Sequence, residues 1–276
     1  MDLTNINDLK SLLGKYHIRL TKKLGQHFLV DRLVLDQIIE AAKLTADDNV
    51  IEVGPGIGTL TKELAEKTKH VIAVEKDKRL IKPLRAALRD FSNVEIVNAD
   101  FLSYQLPATT YKLIADIPYN ITGSVIRKLT ETSVRPLLMV LLVQREVGER
   151  ITAKVGKMSI LSVAVQIYFD PEIIRVVPPS SFFPEPKVES VIVRLSARSS
   201  PSIQVDQVKF FRLVRIGFSA RRKTLLNNLS AGFKISKEEV AGILKQAGIA
   251  EKARAQELSL EDWSRLYSAI QAILIY

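Results

Sequence analysis

The sequence predicts an α/β domain built on a mostly parallel sheet, followed by a small all-helical domain. Three observations carry that expectation. Short apolar segments alternate with segments of helical periodicity between Val50 and Val143, as buried strands and their crossover helices do. A glycine-rich turn, Gly54-Pro55-Gly56-Ile57-Gly58, follows the first of those apolar segments directly. Beyond Ala197-Arg198-Ser199-Ser200-Pro201-Ser202, a small polar run with a proline, apolar spacing is helical throughout.

In chain order, residues 5–15 place Ile6, Leu9, Leu12 and Leu13 at helical spacing. A basic link then runs from Arg19 through Lys22-Lys23 to Leu29, so residues 1–30 read as an extension before the main domain. A helix is expected from Arg32 to Lys43, with Leu35, Ile38, Ile39 and Ala42 on one face. Val50–Val53, His70–Val74, Val94–Val97, Lys112–Ala115 and Leu137–Val143 read as buried strands. Leu60–Glu66, Lys78–Leu88 and Ser124–Glu131 read as the helices between them. Ile160–Tyr168, Ile173–Val177 and Ser190–Leu195 read as further strands, close enough in sequence to pair antiparallel at the sheet's edge. The expected domains are residues 1–200 and 201–276, the second built from helices at Val208–Phe218, Thr224–Ser230, Lys237–Gln246 and Leu260–Ile273.

Composition narrows the class of function. Among 276 residues, 47% are hydrophobic and 25% charged, as in a soluble globular protein. The formal charge of +10 points to a polyanionic partner, since Lys and Arg facing phosphates supply most non-specific nucleic-acid affinity. A solvated basic surface is the alternative reading of the same charge. There is no cysteine, which rules out disulfides and thiolate metal sites. His17, His27 and His70 lack metal-binding spacing, so no metal is expected. The N-terminus lacks the basic and apolar regions of a signal peptide, and Leu137–Val143 falls far short of the roughly 20 residues that span a bilayer. A cytoplasmic monomer without a membrane partner is the expectation.

The chemistry is expected at the strand ends. Gly54, Gly56 and Gly58 are spaced Gly-x-Gly-x-Gly, which lets the backbone approach a ligand closely but misses the dinucleotide fingerprint Gly-x-Gly-x-x-Gly. S-adenosyl-L-methionine carries no phosphate, and the looser turn suits it. Glu75 ends the second strand, where a carboxylate accepts from ribose hydroxyls. Asp100 ends the third, placed to accept from an adenine amino group. Taken singly, each of these is an ordinary turn or loop residue. Their order on the ligand side of one sheet makes them a candidate site.

Asp116-Ile117-Pro118-Tyr119 follows the fourth strand. An adenine amino nitrogen is a poor nucleophile because its lone pair is delocalised into the ring. The Asp116 carboxylate and a main-chain carbonyl at Ile117 or Pro118 are placed to accept its two N–H hydrogens and free that lone pair. Pro118 stiffens the turn, and Tyr119 offers a stacking face. In Ser181-Phe182-Phe183-Pro184-Glu185-Pro186-Lys187, either phenylalanine is a candidate to close over a base or to plug the core. Lys22, Lys23, Arg145, Arg150, Arg221, Arg222 and Lys223 are candidates to track a phosphate backbone.

With these motifs in hand, the chain resembles the bacterial small-subunit (16S) ribosomal RNA adenine dimethyltransferases over nearly its whole length. The resemblance runs through Leu24-Gly25-Gln26-His27-Phe28-Leu29, Glu52-Val53-Gly54-Pro55-Gly56-Ile57-Gly58, Asp116-Ile117-Pro118-Tyr119-Asn120, Phe182-Phe183-Pro184-Glu185-Pro186-Lys187-Val188 and Phe218-Ser219-Ala220-Arg221-Arg222-Lys223-Thr224-Leu225. It implies a Rossmann-like class I methyltransferase domain and a helical C-terminal domain that helps dock rRNA. It implies that S-adenosyl-L-methionine is held by His27, Leu29, Gly54, Glu75, Asp100 and Asp116, and that Phe182 is the stacking ring. The implied reaction is dimethylation of two adjacent adenines in a hairpin near the 3′ end of 16S rRNA, during small-subunit assembly.

Two positions depart from the family pattern. Asp116 stands where Asn is usual, keeping the acceptor oxygen, as in the Asp-Pro-Pro-Tyr tetrad of DNA adenine methyltransferases, but losing the amide donor. His27 also stands where Asn is usual. The competing readings are the related 23S rRNA methyltransferases of macrolide resistance and an RNA-binding assembly factor without catalysis.

Overall fold

A computed structural model of the chain describes residues 2–18, 26–118 and 121–271. Lys22, Lys23 and Tyr119 therefore lie outside the described residues. The chain forms two compact units: Met1–Glu149 with Pro171–Ala197, and Arg150–Asp170 with Arg198–Tyr276. The break expected after residue 200 sits beside the last of three crossings, and the excursion at 150–170 had no signal in composition.

In the first unit, α1 (Ile6–Lys15) starts at Asn5, whose side chain accepts the N–H groups of Asn7 and Asp8. β1 (Phe28–Leu29) precedes α2 (Arg32–Ala42), which is capped by Asp31. The alternation then runs through β2 (Asn49–Val53), α3 (Thr59–Lys67), β3 (His70–Glu75), α4 (Lys78–Ala87), β4 (Val94–Asn98), β5 (Lys112–Asp116), α5 (Thr122–Glu131) and β6 (Leu138–Gln144), and α6 (Arg145–Ile151) carries the chain across the first break. Buried residues follow one another without alternation in β2, β5 and β6, as in strands covered on both faces.

Residues 160–166 correct the sequence reading. They form a helix, α7 (Ile160–Gln166), where a strand is expected from Ile160 to Tyr168. Its β-branched residues suit a strand, but Ser159 and Ser162 form a reciprocal capping box that starts the helix and buries Val163 and Val165. The other two strands of that stretch are present as β7 (Phe169–Val177) and β9 (Ser190–Ala197). The two-residue β8 (Phe182–Phe183) lies between them.

The seven-stranded sheet runs β4-β3-β2-β5-β6-β9-β7. β4 through β6 pair in parallel and β9 joins β6 antiparallel. The strand order reverses about β2, between β3 and β5. Ligands of open α/β sheets bind at the carboxyl ends of strands beside such a reversal. Separately, β1 pairs antiparallel with β8, Phe28 opposite Phe183 and Leu29 opposite Phe182. Leu9, Leu12 and Leu13 of α1 pack with Phe28, Ile57 and Leu80, so the N-terminal helix backs the glycine turn.

In the second unit, α8 (Gln207–Gly217), α9 (Leu225–Phe233), α10 (Lys237–Gln246) and α11 (Leu260–Ile270) pack around Phe210, Leu213, Leu229, Leu244 and Trp263. Phe218 stacks on Trp263 with centroids 5.7 Å apart. A Cβ at Gly217 would stand 2.5 Å from the Trp263 ring, so glycine permits this close approach.

Candidate active site

A cleft of about 630 Å³ opens at the carboxyl ends of β2, β3 and β5, and its lining includes Leu29, Gly54, Glu75, Asp100, Asp116 and Pro118. The glycine turn forms its floor. Gly54, Gly56 and Gly58 have φ of +71°, +62° and +95°, a region that penalises any side chain. A Cβ on Gly56 would also stand 3.0 Å from the Phe28 ring.

Glu75 holds the turn in shape. Its Oε2 accepts the Gly56 N–H at 3.0 Å and its Oε1 accepts the Asp77 N–H at 2.7 Å. Burial pushes the Glu75 carboxyl up, against the pull of those two N–H groups. Asp100 is more open. Lys76 at 2.7 Å and the Leu102 N–H at 2.9 Å hold its carboxyl below the usual range.

Asp116 ends β5 with part of its surface open to the cleft, yet its surroundings are dense enough to push its carboxyl up to about 7. Ile117 is buried, and its N–H donates to the Leu142 carbonyl at 3.2 Å. The Pro118 carbonyl accepts the Ile121 N–H at 3.1 Å and the Thr122 hydroxyl at 3.4 Å. The start of α5 thus fixes the turn that follows β5.

The β1–β8 ribbon supplies another wall. His27 Nδ1 lies 2.6 Å from the Pro184 carbonyl oxygen, so Nδ1 carries the proton and donates. Gln26 donates to Asp77 at 2.8 Å, tying this segment to the end of β3. Phe182 departs from its expected place. Opposite Leu29 in the ribbon, it is 2% exposed and belongs to the core cluster of Val34, Leu35 and Ile38. In this conformation it offers no free face to a base. Phe183 packs against the α1 cluster, with the Lys10 ammonium 5.1 Å from its ring centroid.

Glu52 is a site residue to which the sequence alone assigns no role. It lines the cleft, is 2% exposed, and among the described residues its Oε2 and the Thr61 hydroxyl have no hydrogen-bond partner. Burial pushes its carboxyl up to about 8, opposed by the neighbouring Thr61 hydroxyl and reinforced by the charges of Glu75 and Asp116. The available signal was a carboxylate inside an apolar strand.

Among the described residues, none of the basic candidates lines this cleft. Arg145 is ion-paired with Glu149 at 2.9 Å and Glu189 at 2.8 Å, so it does not act as an unengaged phosphate contact here. Arg150 is exposed in the second unit. Arg221, Arg222 and Lys223 are exposed between α8 and α9, and none forms an ion pair among the described residues. Asn228 fixes that turn by donating to the carbonyls of Gly217 at 2.6 Å and Ala220 at 3.2 Å.

These features fit a cationic nucleoside such as S-adenosyl-L-methionine. The glycine floor admits a close approach, Glu75 and Asp100 present acceptors, and the Glu52 oxygen offers one more polar contact. Among the described residues no cluster of His, Asp and Glu suits a metal ion, and no helix is long and apolar enough to cross a membrane.

Comparisons with known proteins point the same way. A family model described as ribosomal RNA adenine dimethylase matches residues 18–272. Ribosomal RNA small subunit methyltransferase A of Dehalococcoides mccartyi (strain ATCC BAA-2266 / KCTC 15142 / 195) is 42% identical over 264 residues, 93% of this chain and 90% of that protein. Among solved structures, a dimethyladenosine transferase from Plasmodium falciparum superposes with a TM-score of 0.80 at 30% identity, covering 90% of this chain and 98% of that one. The 23S rRNA methyltransferase ErmE superposes with a TM-score of 0.73 at 32% identity, covering 88% and 99%. The chain belongs to the ribosomal RNA adenine dimethylase family.

Proposed function

We propose that this methyltransferase uses S-adenosyl-L-methionine to dimethylate the exocyclic N6 of two adjacent adenines near the 3′ end of 16S rRNA in the small ribosomal subunit. The carrying observation is the convergence of Glu75, Asp100 and Asp116, from the ends of β3, β4 and β5, on one glycine-floored cleft. The cofactor, when bound, supplies an electrophilic methyl on a sulfonium.

The chain's residues do the rest by placement. Glu75 accepts from the ribose and Asp100 from the cofactor's adenine, while Gly54 and Gly56 permit close approach and His27 and Leu29 wall the pocket. Asp116 and the Ile117 carbonyl accept the N–H hydrogens of the target amino group, because the Pro118 carbonyl is already taken by Ile121 and Thr122. That would leave the nitrogen lone pair free toward the methyl carbon, with the thioether as leaving group when the carbon–sulfur bond breaks, and the Asp116 carboxylate would stabilise the positive nitrogen until it gives up an N–H proton. Tyr119 stacks on the target base, which leaves its helix to enter the site. Phe182 sets the wall behind the cleft, and Arg150, Arg221, Arg222 and Lys223 contact phosphates, with Lys22 and Lys23 contributing in the same way.

The 23S alternative draws on the likeness to ErmE, and the 42%-identical relative named for the small subunit outweighs it. Incubation with radiolabelled S-adenosyl-L-methionine and unmethylated small subunits or large-subunit rRNA, followed by nucleoside analysis, separates them. Dimethyladenosine from small subunits alone supports the proposal. Label confined to large-subunit rRNA, or no label despite cofactor binding, overturns it.

A further inference from the structure

Lys128 lies on α5, away from the cleft lining, yet it governs the loop that carries Asp100. Its ammonium donates to the main-chain oxygens of Phe101 at 2.7 Å, Leu102 at 3.1 Å and Tyr104, and stands 5.1 Å from the Phe101 ring centroid. An ammonium has three donors, and here three carbonyls of one turn receive them. The turn is also wound from inside. The Leu102 N–H donates to the Asp100 carboxylate, and the N–H groups of Ser103 and Tyr104 donate to the Asp100 carbonyl.

Three carbonyl dipoles aimed at one point repel one another unless a cation sits there. Burial lowers the Lys128 pKa while the Asp100 charge raises it, as expected for a cation enclosed by that turn. Lys76 cannot substitute, because it is 67% exposed and reaches only the carboxylate from solvent. The same helix begins by holding the Pro118 carbonyl through Ile121 and Thr122. One helix therefore grips both the turn after β5 and the turn after β4.

We infer that Lys128 is a positioning residue: it fixes the Asp100 carboxylate where it reads the adenine amino group of the cofactor. This rests on the proposed use of S-adenosyl-L-methionine. A purely structural lysine would weaken all ligands alike, whereas a positioning lysine acts on the one contact that Asp100 makes.

The test is calorimetric titration of the full chain and its Lys128→Met and Lys128→Gln variants with S-adenosylhomocysteine and S-inosylhomocysteine, which lacks the amino group. The wild type is expected to prefer the adenosyl ligand by about tenfold or more, because a site built for an N–H donor rejects the analogue without it. Lys128→Met is expected to lose most of that preference, with inosyl affinity little changed. Lys128→Gln, with two donors, is expected to fall between them and serves if the Met variant does not fold. Preference retained in both variants, or equal loss for both ligands, overturns the inference and leaves the function standing. No binding of either ligand by the wild type overturns both.

Discussion

The Glu75 carboxylate accepts the Gly56 N–H at 3.0 Å, so the acid at the end of β3 shapes the turn after β2. One carboxylate thus orders the cleft floor and remains available to a ligand. Gly56→Ala breaks this arrangement, since a left-handed residue with a Cβ costs about 1–2 kcal/mol and the new methyl meets Phe28. The expected result in calorimetry is S-adenosyl-L-methionine binding weakened by about tenfold or more, with the Asp100 preference between adenosyl and inosyl ligands preserved.

Glu52 and Asp116 predict a dependence on pH. Their carboxyls are pushed up to about 8 and about 7 in the folded chain. Between the ordinary carboxylate range and pH 8, the folded chain holds protons that the unfolded chain has released, so stability falls as pH rises through that window. Thermal melts of the protein alone should show this decline, levelling off above about pH 8. Glu52→Gln should flatten its upper part. Affinity for the cationic cofactor should rise over the same window, as the carboxyls ionise.

Asp116→Ala removes an acceptor at the reacting nitrogen and should slow transfer by about 10²–10³-fold. Single-turnover kinetics with small subunits would check this, and a normal rate would remove Asp116 from the mechanism. Tyr119→Ala should abolish transfer while calorimetry shows cofactor binding little changed.

Phe182→Ala tests a structural consequence of the β1–β8 register. A ring buried beside Leu29 and Ile38 should cost about 3–5 kcal/mol of stability on truncation, seen as a lower melting temperature. Melting unchanged, with activity lost, would show that the ring spends its time facing the substrate.

Arg221→Ala, Arg222→Ala and Lys223→Ala should each weaken RNA binding across sequences and reduce the salt slope by about one, as loss of a phosphate contact does. A filter-binding series in salt would measure it. Cofactor affinity should be unchanged.

The parallel core was legible because β2, β5 and β6 are short, mostly apolar runs, and the cleft because glycine and acidic residues stand at strand ends. Ile160–Gln166 was not legible, since its β-branched residues favour a strand until the Ser159–Ser162 cap is counted. Phe182 and Phe183 are neighbours in sequence, and only the pairing with Leu29 and Phe28 shows which faces each ring takes. The sequence does not show that Arg145 pairs with Glu189, 44 residues away. Lys128 gives no signal at all, because its partners are main-chain oxygens.

The bond from His27 to Pro184 joins residues 157 positions apart, and the β1–β8 ribbon closes over the same span. During synthesis, the glycine turn and all of its acidic partners leave the ribosome long before Phe182 does. A nascent chain ending before residue 182 has the floor of the pocket but lacks the ribbon that orders its wall. Closing so long a loop costs only slightly more entropy than closing a shorter one, so the delay is one of time rather than of stability. The enzyme therefore gains the ribbon wall of its pocket only when about two thirds of its translation is done.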